Sequence, residues 1–253
     1  MIQLSIFWLK VQETFKNTCE KFDSKWQKRK RILNTQLLVA FILKLVESKN
    51  KQGYGSKLAE FWESCLDKGI TLPQVSAISS SSLCEARQKF PEEVFVELNQ
   101  ELLSIWNQEQ NLPNFKGYRL FAVDGSKINL PRELIDEGFK VYDKERGPYY
   151  PQGLLSCLYN LQEKVIYDFS FVSHMNERLC AIEHMKILSS NDIMIFDRGY
   201  FSYLLFYLSL EYGIHVIFRM QKGSTNEKIE EFWNGNENDK IIEYSASKTV
   251  KYD

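Results

Sequence analysis

Two apolar runs in this chain each end in an aspartate with glycine close behind: Leu120-Phe121-Ala122-Val123-Asp124-Gly125-Ser126 and Ile193-Met194-Ile195-Phe196-Asp197-Arg198-Gly199-Tyr200. A short run of buried-type residues bounded by turn residues reads as an interior strand. A carboxylate at the C-terminal end of such a strand is held rigidly where parallel sheets place their ligands. Two of them suit a divalent ion. Magnesium takes oxygen ligands, keeps several waters, and is commonly held by one or two carboxylates plus substrate phosphate. Two such ions about 3.5–4 Å apart clamp the attacking and leaving oxygens of a phosphoryl displacement. Asp124 and Asp197 are therefore the expected metal ligands and catalytic carboxylates, with Mg2+ (or Mn2+) as the ion. Gly125 and Gly199 leave room for a nucleic-acid backbone beside them, and Arg198 is placed to contact a phosphate. Either segment alone also fits a plain turn, since Asp-Gly is a common turn pair. Asp168 within a strand and Asp192 at a strand start are expected to face solvent. His174, His184 and His215 have no zinc spacing, and Cys180 with His184 on one helix face supplies only two ligands.

The elements that must carry this pair change character along the chain. Up to about residue 108 the apolar residues recur at helical spacing: Leu4, Phe7, Val11, Phe15 and Cys19; Leu38, Phe41, Ile42, Leu45 and Val46; Tyr54, Leu58, Phe61, Trp62 and Cys65. Ser82-Leu83-Cys84-Glu85 matches a capping box for a further helix. Pro91 suits the start of a long one with Val94, Phe95, Leu98, Leu102, Ile105 and Trp106 inward. After a polar linker at 107–116 the pattern becomes strand over 117–124, a long loop or irregular hairpin over 131–152, strands over 154–159 and 164–172, a helix over 176–189, a strand over 192–197, a helix over 202–212, and a strand over 214–220. Asn160-Leu161-Gln162-Glu163 suits a tight link between the second and third strands. Three strands followed by alternating helix and strand imply an α/β fold with a mixed sheet and crossover helices. In that topology the first and fourth strands run side by side and parallel, so Asp124 and Asp197 become neighbours. The expected organisation is thus an all-helical region over 1–108 and a sheet domain over 117–253.

Composition bounds the partners. The chain of 253 residues is 44% hydrophobic and 26% charged with a formal charge of −1, so a core is affordable and no global basic field announces a nucleic-acid binder. The five cysteines are scattered in apolar segments, as small hydrophobes in a reducing cytosol would be. The N-terminus lacks the basic leader of a signal peptide, and no run approaches membrane-spanning length. DNA contacts are expected locally: Lys28, Arg29 and Arg31 in the cluster from Lys25 to Arg31, with Trp26 inside it; Arg87 and Lys89 beside a helix-turn-helix around Ser79–Ser82; and Arg146 in the loop after the first aspartate.

The sequence around the two aspartates resembles DDE transposases of the IS4 type. Ala122-Val123-Asp124-Gly125-Ser126 with Leu130-Pro131 is similar to their first-aspartate motif, and Ile195-Phe196-Asp197-Arg198-Gly199-Tyr200-Phe201-Ser202 to their second. Pro151-Gln152-Gly153-Leu154-Leu155-Ser156 and Asn176-Glu177-Arg178 fit between them, and the resemblance runs from about Ser82 onward. It implies an RNase H-like catalytic core, two magnesium ions, and cutting and joining of double-stranded DNA at the terminal repeats of an insertion sequence and at a target. It is compatible with a homodimer on DNA and a cytoplasmic, bacterial nucleoid-associated location, without a membrane. One departure stands out. The family's third ligand is a glutamate in a downstream Tyr-Arg-Glu-Lys type motif, and no such motif follows Met220. Residues 229–253 resemble only the start of the β-rich insertion that precedes it. The chain thus reads as a C-terminally truncated transposase. The alternatives are a non-catalytic DNA-binding remnant and a stand-alone RNase H-like nuclease.

Overall fold

A computed structural model describes residues 2–27, 32–47, 52–108, 114–142, 150–220 and 227–242. The chain forms two compact units, Met1–Gln110 and Asn111–Asp253.

The first unit is helical: α1 (Ile2–Trp26), α2 (Thr35–Glu47), α3 (Tyr54–Asp67), α4 (Ser80–Lys89) and α5 (Glu93–Asn107). Its core has two parts. Leu38, Phe41, Leu58, Trp62, Leu83 and Ala86 join α2, α3 and α4; Cys19, Phe22, Val39, Val94 and Leu98 join α1, α2 and α5. Trp26 belongs to this interior. Its indole donates to Thr35 Oγ1 at 2.8 Å and meets the edge of Phe90, so it is packed against the core. The helix expected to open at Ser82 opens earlier. Ser79 is the N-cap, accepting from the Ser82 amide at 3.2 Å. In a run of four serines the cap falls to the one followed by the helical backbone. Burial of Cys19 pushes its thiol up to about 12.

The second unit is a five-stranded sheet of order β3-β2-β1-β4-β5. Its strands are β1 (Arg119–Asn129), β2 (Gln152–Asn160), β3 (Val165–Val172), β4 (Asp192–Phe196) and β5 (His215–Phe218). β1, β2 and β3 pair antiparallel, while β4 is parallel to β1 and β5 to β4. The crossovers are α6 (Glu177–Met185) and α7 (Tyr203–Glu211). This is the RNase H-like mixed sheet that the sequence led us to expect. Asn160 makes the β2–β3 link as anticipated: its side-chain oxygen accepts from the amides of Gln162 and Glu163, and Lys164 takes a positive φ of 58°.

One face of the sheet is the core. Phe121, Val123, Leu158, Met194 and Phe196 pack against Ala181 and Met185 of α6 and Leu205 of α7. Fully burying each large side chain contributes roughly 1.5–3 kcal/mol. At Gly153 the backbone lies under the Phe171 ring. A Cβ placed there would come within 2.6 Å of Phe171 Cε2, and Phe171 itself stacks on Phe139. Gly153→Ala should therefore cost about 1–3 kcal/mol by overpacking, read as a lowered urea midpoint. A change below about 0.5 kcal/mol would mean that the half-exposed ring swings aside freely.

Three expectations need correction. β1 does not stop at Asp124; it runs to Asn129, because the antiparallel ladder to β2 continues to the pair Asn129 with Gln152. Residues 227–234 form a helix, α8 (Glu227–Asn234), at the head of the stretch 229–253 expected to begin a β-rich insertion, whose residues 243–253 lie outside the described ones. Asp192 is fully buried, not solvent-facing. It begins β4 directly beside Arg119 of β1, and the guanidinium grips both carboxylate oxygens at 2.7 and 2.8 Å. Burial alone would lower the Arg119 pKa, but the Asp192 carboxylate and the Tyr167 hydroxyl outweigh it and hold it above its ordinary value.

Candidate active site

The two strand-end aspartates are set by register. β1 and β4 pair in parallel from Arg119 with Asp192 to Ala122 with Ile195. Asp124 and Asp197 each lie two residues beyond that last pair. Side chains alternate along a strand. Val123 and Phe196 point into the core, so Ala122 and Asp124 share the opposite face with Ile195 and Asp197. Neighbouring strands lie about 4.8 Å apart, so this register puts the two carboxylates at the same level of one face. Both are exposed.

Each carboxylate has a local partner. The Gly125 amide donates to Asp124 Oδ1 at 2.9 Å. Asp197 Oδ1 accepts from Arg219 Nη1 at 3.3 Å, and the Arg219 amide donates to the Phe196 carbonyl at 2.9 Å. Arg219 follows β5 just as Asp197 follows β4, because Phe196 pairs with Phe218. Sequence reading missed Arg219. Its signal was its place one residue past an apolar strand, the same offset as Asp197. The pair is exposed on both sides, so it contributes little stability, but it puts a cation beside this carboxylate.

Behind the carboxylates, α6 reaches both motifs with its first turn. Asn176 caps the helix, accepting from the amides of Arg178 and Leu179. Arg178 donates to the Gly199 carbonyl from Nη2 at 2.9 Å and Nε at 3.3 Å. The Glu177 side chain lies over Gly125; a Cβ there would meet its Cγ at 3.0 Å and its Cδ at 3.1 Å. Tyr200 is buried, and its hydroxyl finds no partner in hydrogen-bonding geometry. Burial, then the charges of Glu177 and Asp124, push this phenol well above its ordinary pKa. Glu177 is thus near the hydroxyl without the geometry of a formed bond.

The far end of α6 is tied down by His184. Its Nδ1 lies 2.7 Å from Asp168 Oδ2 and its Nε2 lies 3.2 Å from Ser156 Oγ. Serine, histidine and aspartate in this order form a nucleophilic triad in hydrolases. Here Ser156 and His184 are both 0% exposed, so no substrate meets the hydroxyl. The chain of bonds joins α6 to β2 and β3. Asp168, expected to face solvent, is instead half-buried as the outer member of this tie.

Of the remaining predicted residues, Arg198 lies at the pair: it follows Asp197 and is exposed. Arg87 lies in the other unit, bonded to the Tyr54 hydroxyl at 2.6 Å and facing its ring. Lys89 is exposed in the last turn of α4. The connection from α3 to α4 spans residues 68–79, longer than the 3–4 residues of a helix-turn-helix. Lys28, Arg29, Arg31 and Arg146 lie outside the described residues.

The donor set, two exposed carboxylates at adjacent strand ends, is of the oxygen type that a divalent ion takes. Among the described residues no group of three carboxylate, histidine or cysteine side chains could hold a metal. No described helix is long and apolar enough to cross a membrane.

Comparison with curated proteins gives no match. Among solved structures, the chain is similar to the cryo-EM structure of a piggyBac transposase synaptic complex with hairpin DNA, at 12% identity and a TM-score of 0.42. The similarity covers 91% of this chain and 52% of that one, so the chain spans about half the length of that protein. Residues 115–251, which hold both aspartate motifs and the whole sheet, match the model of the transposase DDE domain. The chain belongs to that family.

Proposed function

We propose that this chain acts in DNA transposition as an insertion-sequence transposase of the IS4 type, with Asp124 and Asp197 as metal-binding catalytic carboxylates. The observation that most supports the reading is the parallel β1–β4 register, which puts the two carboxylates at one level of one face. Mg2+ (or Mn2+) held by them would lower the pKa of an attacking water or 3′-hydroxyl and stabilise the departing oxygen. The chain's own residues do the positioning. The Gly125 amide orients Asp124. Arg198 is exposed beside Asp197 for a phosphate. Arg219 is an exposed cation paired with Asp197 at 3.3 Å and is a second candidate to contact the phosphate. Double-stranded DNA, as terminal repeat and target, is the proposed substrate. The helical unit supplies further contacts through Lys28, Arg29, Arg31, Arg87 and Lys89, and Arg146 follows the cleaved strand. A homodimer on DNA and a nucleoid-associated cytoplasmic location complete the proposal.

A second reading, a non-catalytic DNA-binding remnant, is favoured by one observation: among the described residues no third donor joins the pair. Mn2+ titration followed by electron paramagnetic resonance, with cleavage of supercoiled and linear DNA, separates the two. Asp124→Asn and Asp197→Asn should each weaken Mn2+ binding about tenfold or more, since changes even behind a metal ligand cost 10–100-fold. Cleavage lost in both variants supports the transposase or the stand-alone nuclease; joined strand-transfer products single out the transposase. Metal binding without cleavage supports the remnant. Unchanged Mn2+ affinity in both variants would sink the metal assignment.

A further inference from the structure

The first turn of α6 touches both aspartate motifs, and nothing in the proposed chemistry uses it. Arg178 and Glu177 are consecutive, yet they serve different strands. The Arg178 guanidinium holds the Gly199 carbonyl through two donors, so the turn after Asp197 is fixed to the helix. A planar fork on one oxygen resists both sliding and rotation, which a single lysine ammonium does not. The Glu177 side chain rests on the Cα of Gly125 and on the side of the segment that orients Asp124. A Cβ at 125 would press on Glu177 at 3.0–3.1 Å, so glycine there gives this side chain room to lie close. Tyr200, one residue past the carbonyl held by Arg178, presents its buried, unbonded hydroxyl near this carboxylate.

The helix that carries these groups cannot drift. Asn176 caps it at the same turn, and at its other end the His184 tie joins it to Ser156 and Asp168 on two further strands. Its inner face, Ala181 and Met185, is buried in the sheet's core. An element fixed at both ends, with one residue against each aspartate-bearing segment, works as a spacer. We propose that Glu177 and Arg178 are positioning residues that set the spacing of Asp124 and Asp197 from behind, neither of them binding the ion. The proposal rests on the reading that these aspartates hold a divalent metal. Glu177 faces the core side of β1 and Asp124 the other face, so Glu177 supports the ligand's backbone without sharing its ion.

The test uses the full chain with Mn2+ as probe. Arg178→Ala and Glu177→Ala should each weaken Mn2+ binding about tenfold or more, as loss of an orienting partner does. Glu177→Gln keeps the shape over Gly125 and should stay within about threefold of the parent. Arg178→Lys restores one donor and should fall between parent and alanine. An equal loss in Glu177→Gln and Glu177→Ala would make the effect one of charge and overturn the positioning role. So would parent-like affinity in both alanine variants.

Hydrogen exchange supplies a readout that needs no metal. In Arg178→Ala and Glu177→Ala the amides of residues 124–126 and 197–201 should exchange at least about tenfold faster, while those of 154–158 in β2 stay protected, because local opening is separable from global unfolding. Failure of the parent chain to bind Mn2+ would count against the metal reading alone, and exchange would then decide the spacer. No selective change at either segment would overturn it.

Discussion

Replacing Asp192 by alanine is expected to cost the C-terminal unit about 3 kcal/mol or more. The carboxylate is fully buried and satisfied four times: by Arg119 Nε and Nη2, and by the Ser189 amide and hydroxyl at 2.7 and 3.0 Å. Breaking a buried pair by removing one partner typically costs 3–5 kcal/mol, because the other charge is left behind. The Arg119 side chain is 29% exposed, so water can reach it and the lower end applies. Arg119 is also held over the rings of Phe121 and Tyr167, which bury its stem and keep it from turning outward. Asp192→Asn keeps one oxygen and the shape, and should cost about half as much. A double variant, Arg119→Met with Asp192→Leu, should be less damaging than Asp192→Ala alone, since well-packed apolar groups often replace a buried ion pair at little cost. Tryptophan fluorescence reports mainly the helical unit, which holds Trp8, Trp26, Trp62 and Trp106. The suitable measurement is therefore exchange protection of the β1 and β4 amides against urea. A loss below about 1 kcal/mol in Asp192→Ala would refute the argument.

Phe196→Ala should be as costly and should reach the carboxylate site as well. Phe196 is fully buried, stacked on Phe218 with centroids 4.7 Å apart and tilted against Tyr200 at 5.5 Å. Truncating such a ring costs about 3–5 kcal/mol through lost burial and the cavity left behind. The three rings join β4, β5 and the turn after Asp197, so the cavity would open directly behind that carboxylate. Mn2+ affinity should then fall even in conditions where the chain stays folded. Phe196→Leu keeps much of the volume and should cost about half as much or less. Intact Mn2+ affinity in folded Phe196→Ala would show that the turn is held without the aromatic stack.

What the sequence revealed, and what it concealed, follows from where each property is encoded. The order of strands and helices was legible because alternation and helical spacing are local. The partnership of Asp124 and Asp197 was legible one step later, since right-handed parallel crossovers leave few topologies. Asp192 was misread because its partner Arg119 is far away in sequence, and an aspartate beside a turn normally faces water. Arg219 was overlooked for a related reason: only the pairing of β4 with β5 makes it a neighbour of Asp197. The polar tail of β1, Ser126-Lys127-Ile128-Asn129, looks like a loop; what makes it strand is the ladder to β2, a tertiary property. The cap at Ser79 lay in a run of four serines, where composition alone offers four equivalent choices.

β1 keeps its antiparallel partner to Asn129 but leaves its parallel partner after Ala122. The two aspartates are therefore tethered differently. Asp124 lies within a ladder paired on both sides of it along β2, which restrains its backbone along the strand. Asp197 lies at the first residue past its strand, leading into a 3-10 turn. If the pair holds a metal as proposed, the second aspartate answers to the turn that follows it and to the Arg178 contact there, and the first to the sheet itself.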